Sequence, residues 1–330
     1  MTVPTNTVQT FAMVGIREDL ADTITNIAPM DVPFYSMIKK GTTKSRTPEW
    51  EKDTLANPDP TNAVVEGDDV AADAGSQPTR LKNIVQLFDK VVSVSDTAQA
   101  VDSAGQKDEL AYQVAKKGKE LKRDIEMRIT GNYTSVLGNA STAGQLAGAE
   151  GWFTTNVSRG SGGASGGYSS GIVTLATDGT PRTYTEALLK AVIKSTWDSG
   201  GDPTIIMCTG AKKQLSSAFV GIATQYRENS GRKQATILGA ADVYVSDFGE
   251  HRIVPNRFMG AGTGRTPASG LYAGLSVLVL DPKTWALKTL QAMKITPLAK
   301  TGHSDKKMLH TELTLACSDE AANGIVADLT

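Results

Sequence analysis

The stretch TKSRTPEWEKD, residues 43–53, decides how this chain is read. Side chains alternate across an extended strand, so Lys44, Arg46, Trp50 and Lys52 take one face while Ser45, Thr47, Glu49, Glu51 and Asp53 take the other. Neither face can line an apolar interior, and Pro48 keeps the segment out of a central sheet position. The expectation is a ribbon with a basic side and an acidic side, whose counterparts lie on neighbouring molecules.

The return limb, Leu81 to Ser95, carries Ile84, Val85, Leu87, Phe88, Val91, Val92 and Val94 and reads as a second strand. Between the limbs, residues 49–73 hold eight acidic side chains against one basic, broken by Pro58, Pro60 and Gly67. The pattern predicts a long hairpin arm over residues 43–97. A limb of about a dozen residues reaches roughly 40 Å at ~3.3 Å per residue. A two-stranded ribbon is marginal alone in water, so something must cover it. Glu66, Asp68, Asp69 and Asp73 lack the ligand spacing of a calcium loop and read as a solvated or partner-facing surface.

Before the arm, Ile16, Leu20, Ile24 and Ile27 share one helical face, and Pro29 ends that helix. Phe34 and Tyr35 follow as anchors for an apolar groove, either on a neighbour or on their own subunit, since aromatics dominate both settings.

After the arm, Leu110, Val114, Gly118, Leu121, Ile125 and Ile129 form a continuous stripe and predict a helix over residues 106–133. Between Lys116 and Arg128 six basic residues face three acidic ones. The pairs Lys116 with Glu120 and Asp124 with Arg128 have helical spacing. The basic excess, with Lys116, Lys119 and Arg123 as its candidates, reads either as a receptor for an acidic arm from another subunit or as a solvated face with weak surface pairs. The Gly/Ser run from Arg159 to Gly171 reads as a flexible loop between lobes. A mixed α/β lobe follows, opened by Thr183 and Glu186 at capping-box spacing before a helix over 187–197. Strands are expected at 204–208, 243–246, 252–254 and 275–280, with a helix opening near Thr209. The tail predicts strands at 285–295 and 308–316, then a short helix over 320–329, all packing beside the long helix.

Composition sets the limits. A chain of 330 residues with 40% hydrophobic content buries a core divided into two or more lobes. With 34 basic and 35 acidic residues there is no global field to draw it to nucleic acid or an anionic membrane. No secretory signal opens the chain, and no apolar run is long enough to span a bilayer. Cys208 and Cys317 sit in apolar runs, as buried thiols do.

Several motif strings fail on context. Ser165 and Ser169 each sit in a G-x-S-x-G string, but the nucleophile elbow needs a strand before it and a helix after it. Asp247, Phe248 and Gly249 read as a turn, because no other kinase signature accompanies them. His251, His303 and His310 form no metal signature. The expectation is therefore no enzyme, no cofactor and no metal.

The order of arm, acidic hairpin, long helix, mixed α/β lobe and returning strands resembles the major capsid proteins of tailed phages with the Hong Kong 97-type fold. Gly15, Glu18, Asp19, Leu20, Pro33, Phe34, Glu49 and Trp50 look like the arm and extended loop of one subfamily. The tail run from Pro297 to Gly302, with the strand that follows, looks like its C-terminal part. The resemblance implies an α+β capsid fold with four parts. These are an N-terminal arm (1–42), an extended loop (43–97), a peripheral domain (98–180 and 281–330) with the spine helix, and an axial domain (181–280). It implies a coat subunit forming hexamers and pentamers of an icosahedral or prolate shell around double-stranded DNA. Separate scaffolding and portal proteins, a decoration protein and assembly in the host cytoplasm belong to the same implication, with no membrane partner. The alternatives are an encapsulin-like compartment and a serine hydrolase. The expected intersubunit contacts are Phe34, Tyr35, Lys44, Arg46, Glu49, Trp50, Glu51, Glu66, Asp68, Asp69, Lys116, Lys119 and Arg123.

Overall fold

The computed structural model describes residues 31–67, 75, 77–101, 108–216, 219, 242–265 and 275–330. The helix expected over residues 16–27 lies outside the described residues, as do Asp68, Asp69 and Asp73. A short helix α1 (Pro33–Met37) leads into β1 (Lys39–Thr42), the arm strands β2 (Glu49–Lys52) and β3 (Thr79–Lys82), β4 (Gln86–Ser95), α2 (Asp96–Ala100) and the spine helix α3 (Glu109–Thr130). Next come α4 (Ala149–Trp152), β5 (Val157–Ser158), β6 (Gly167–Ser169), β7 (Ile172–Thr174), α5 (Glu186–Asp198), β8 (Ile205–Cys208) and α6 (Gly210–Ser216). The chain finishes with β9 (Val243–Ser246), β10 (Gly249–Pro255), β11 (Val277–Leu280), β12 (Trp285–Pro297), β13 (Ser304–Cys317) and β14 (Gly324–Val326).

The spine helix forms where the apolar stripe predicts it. The Asp108 carboxylate accepts from the Ala111 amide at 2.9 Å and caps its start. Leu110, Leu121, Ile125 and Ile129 are buried, and full burial of such a side chain contributes about 2 kcal/mol. The helix stops at Gly131, where a Cβ would lie 2.6 Å from the Ala261 carbonyl oxygen. Its 22 residues span about 33 Å, shorter than the reach of residues 106–133. It packs on β4 and β13 of a four-stranded sheet ordered β1-β12-β13-β4, in which only β1 and β12 run parallel.

A second sheet, ordered β5-β14-β11-β8-β10-β9, joins two cores. Met207, Leu278, Leu280 and Ile325 point into the cluster that holds the spine helix. Ile206, Cys208, Val277, Val279 and Val326 point the other way, against Leu189, Val192 and Ile193 of α5. All four residues of β11 are buried, as a strand covered on both faces requires.

Four expectations are corrected here. The tail helix over 320–329 is absent. Ile325 and Val326 are β-branched and fill β14 between β11 and β5, with Ile325 turned into the core that holds the spine helix and Val326 into the core against α5. The cap of α5 is Thr185, without a side-chain bond, and Glu186 instead accepts from the Tyr244 hydroxyl at 3.1 Å. The return limb is two strands. Asn83 is buried, its amide donating to Leu315 O at 2.7 Å and its Oδ1 accepting from Ala147 N at 3.0 Å, which takes the chain out of the arm ladder. The arm ladder is thus four pairs, Glu49 with Lys82 through Lys52 with Thr79, and β4 belongs to the body sheet. Last, the Gly/Ser run is built structure, with β6 and β7 forming a hairpin. A Cβ on Gly166 would stand 2.3 Å from the Thr174 carbonyl, so glycine there permits a close backbone approach.

Candidate assembly surfaces

The arm is fastened to its own subunit at its root. The Trp50 indole N–H donates to the Cys317 carbonyl at 2.8 Å, and its ring lies 5.8 Å from that of Trp152. The Lys288 ammonium stands 4.9 Å from the Trp50 centroid, and Lys52 pairs with Asp319 at 2.6 Å. Arg46 donates to the Gly138 carbonyl at 3.2 Å. Trp50 and Arg46, expected to face neighbours, each hold a partner on their own subunit, Trp50 half-buried and Arg46 still exposed. Glu49 and Glu51 are exposed and flank Arg80 at 3.4 and 3.9 Å. Lys44 and Glu66 are exposed, and residues 53–67 lie free of the core.

Phe34 is likewise internal. It is fully buried and meets Trp285 edge-on at 5.8 Å, which leaves no surface for a neighbour. The reason is Glu126, a buried carboxylate on α3 that sequence reasoning missed. Its Oε1 accepts from the Phe34 amide at 2.8 Å and from Asn256 Nδ2 at 2.6 Å, and its Oε2 accepts from the Tyr35 amide at 2.7 Å. One carboxylate thus joins the arm entry, the spine helix and the end of β10. Burial pushes its pKa up to about 7, against the pull of these three donors. The only signal in the sequence was its place beside Ile125 in the apolar stripe.

A second buried ionic group joins α4 to the segment that follows β10. The Arg265 guanidinium donates to Glu150 Oε1 at 2.8 Å and Oε2 at 2.9 Å, and to Asp178 Oδ2 at 2.8 Å. Burial alone would lower the Arg265 pKa, but the hydrogen bonds to Asp178 and Glu150 outweigh it and hold it above the usual range. Nothing in the local sequence pairs residues 150, 178 and 265.

The outer face of α3 keeps its basic character. Lys116, Lys119 and Lys122 are exposed at three-residue spacing. Among the described residues no carboxylate lies within ion-pairing distance of them. The pairs expected along the helix are replaced. Glu120 binds Lys117 at 2.7 Å and Asp124 binds Lys90 of β4 at 2.6 Å. Arg128 donates to the Leu146 carbonyl at 2.7 Å and stacks on Tyr133 at 4.1 Å. Arg123 is half-buried, its guanidinium 5.2 Å from the Phe258 centroid.

No catalytic arrangement emerges at the serine strings. Ser169 ends β6 and turns into β7, so neither string has the strand-to-helix geometry of an elbow. Both cysteines are free and buried. Among the described residues no group of three His, Cys, Asp or Glu side chains is placed to hold a metal ion, and no helix is long and apolar enough to cross a membrane.

Comparison with known proteins agrees with this geometry. The family model of the SU10 major capsid protein matches residues 3–330. The major capsid protein of Escherichia phage Phieco32 is 28% identical over 347 residues, covering 94% of each chain. The capsid of a native GTA particle superposes with a TM-score of 0.62 at 9% identity, covering 97% of this chain and 98% of that one. The SrpI encapsulin complex of Synechococcus elongatus gives 0.55 at 10% identity, covering 96% of each chain. At such identities the structures establish the shared Hong Kong 97-type fold, and the sequence match establishes the lineage. The chain belongs to the SU10 major capsid protein family, the coat subunits of phage capsids.

Proposed function

We propose that this coat protein closes its shell by laying the acidic arm of one subunit across the basic spine helix of the next. The observation that carries the reading is a pair of unmatched surfaces in one subunit. Residues 53–67 are exposed and bear Asp53, Asp59 and Glu66, while Lys116, Lys119 and Lys122 have no carboxylate partner among the described residues. Each exposed ion pair contributes only about 0–1 kcal/mol. Symmetry repeats the contact around every ring, so many weak pairs hold a closed assembly.

In this reading residues 1–42 are the N-terminal arm and 43–97 the extended loop. Residues 98–180 and 281–330 form the peripheral domain, and 181–280 the axial domain, which meets its copies at the centres of hexamers and pentamers. The pairing of β14 with β11 then couples the two domains directly. Double-stranded DNA fills the shell through loose, sequence-independent contacts, in keeping with a net charge of −1. Separate scaffolding, portal and decoration proteins complete the particle, which assembles in the host cytoplasm.

The test is charge exchange. Lys116, Lys119 and Lys122 replaced together by Glu should suppress shell formation, and replacing Asp53, Asp59 and Glu66 by Lys in the same chain should restore it. Shells of unchanged yield and salt sensitivity from the first variant would overturn the contact.

A further inference from the structure

The second sheet ends on a strand whose outer side is bare. Tyr244 of β9 turns toward α5, its hydroxyl donating to Glu186 at 3.1 Å and its ring joining the core around Leu189 and Ile193. Alternation sends Val243 and Val245 to the opposite face, where they are 54 and 69% exposed. Farther into the sheet that face is filled by Met207, Leu278 and Ile325, in a core that includes no residue of β9. The outer edge of β9 has no strand partner among the described residues. A bare apolar edge strand is a site where another chain can add.

On the α5 side the same sheet exposes an aromatic pair. Trp197, in the last turn of α5, is 55% exposed, and its ring centroid lies 5.1 Å from that of Phe248 in the β9–β10 turn. That turn is tied down from behind. Ser246 Oγ accepts from the Phe248 amide at 3.1 Å and lies 2.7 Å from Nε2 of the buried His251, whose Nδ1 is 2.6 Å from the Pro203 carbonyl oxygen. A hydrogen-bonded chain thus holds an exposed tryptophan in place, and pre-ordered aromatics of this kind carry much of the energy of protein interfaces.

Charge distinguishes the two patches. Lys213 takes Asp242 at 2.7 Å, but Asp247, next to Phe248, and Arg252, across from Val243, are exposed and have no ion-pair partner among the described residues. Glu250 stands across from Val245 and would repel Asp247, so an approaching Asp247 is directed to the Arg252 end of the strand.

We propose that Trp197 and Phe248 of one copy seat on Val243 and Val245 of the next copy, with Asp247 facing Arg252. The occupant is a second copy because the chain is a coat subunit that packs among its own kind, and because the two patches carry complementary charges on opposite faces of one sheet. One subunit cannot bring them together. The contact is therefore heterologous and passes from copy to copy until a ring closes. It rests on the reading that axial domains meet at ring centres and deepens it by naming the surfaces that meet.

Paired cysteines test it. D247C and R252C in one chain are out of reach of each other, since Arg252 pairs with Val243, about 10 Å along the strand from the turn. Mild oxidation of assembled D247C/R252C protein should give a ladder ending at the pentamer or hexamer on a non-reducing gel, absent from either single variant. Closed shells without a ladder would overturn this contact and leave the shell reading standing. A ladder from rings that never close would support it while counting against the arm contact of that reading. D247R and R252D should each raise the concentration needed for assembly by about tenfold or more, and D247R/R252D should bring it back toward the parental value. A double variant no better than either single would refute the pairing. W197S should remain folded yet unassembled where the parent assembles, and assembly at the parental concentration would refute the seat.

Discussion

The Phe34 amide donates to the Glu126 carboxylate at 2.8 Å across 92 residues of sequence. Through that bond the entry of the arm is fixed to the C-terminal part of the spine helix. The carboxylate is buried and every neighbour within hydrogen-bonding distance is a donor, so its protonation bears directly on how firmly the arm is held.

The pH dependence follows with a definite sign. The folded pKa of about 7 lies above the ordinary 4.5, so the folded subunit holds this proton more tightly than the unfolded chain. The resulting stability is complete below about pH 4.5 and is lost as pH rises through about 7, a difference of about 3 kcal/mol. The carboxylate form keeps the three donors satisfied but bears the cost of burial. E126Q should flatten the profile across that window in urea unfolding of dissociated subunits. Parallel profiles for wild type and E126Q would contradict the assignment.

Arg265 is the cation for a fully buried glutamate. R265M leaves Glu150 without its counter-charge and Asp178 without its bidentate donor, and should destabilise the subunit by about 3–5 kcal/mol. R265M/E150L should recover a large part of that loss. Scanning calorimetry of the three proteins checks both statements.

The Gly/Ser hairpin should reject side chains by position. G166A drives a Cβ to within 2.3 Å of a backbone oxygen, whereas a Cβ at Gly210 meets nothing within 4 Å. Soluble, cooperatively melting subunit is expected from G210A and not from G166A.

Removing residues 324–330 takes β14 out from between β11 and β5 and bares both edges. The truncated chain should be recovered as aggregate, an outcome read by sedimentation of the lysate.

The sequence carried the periodic elements well. The stripe from Leu110 to Ile129 identified the spine helix by its period, and the runs at 204–208, 285–295 and 308–316 appear as β8, β12 and β13 because they hold strand-forming residues. Its misses share a cause. The Glu126, Arg265 and Asn83 sites are polar groups whose tertiary partners lie 64 or more residues away, so no local window contains the reason for them. Phe34 was recognised as an anchor and Trp50 as a contact residue of the arm, but which subunit each one packs on depends on tertiary packing alone. Residues 324–326 read as helix because three residues are too few to show a strand period.

The most direct measurement is a high-resolution electron cryo-microscopy map of the particles formed by the purified protein. The account predicts closed shells in which residues 53–67 of each subunit lie across Lys116, Lys119 and Lys122 of an adjacent one. Shells in which those lysines face solvent or some other partner, with the arm folded on its own subunit, would contradict it.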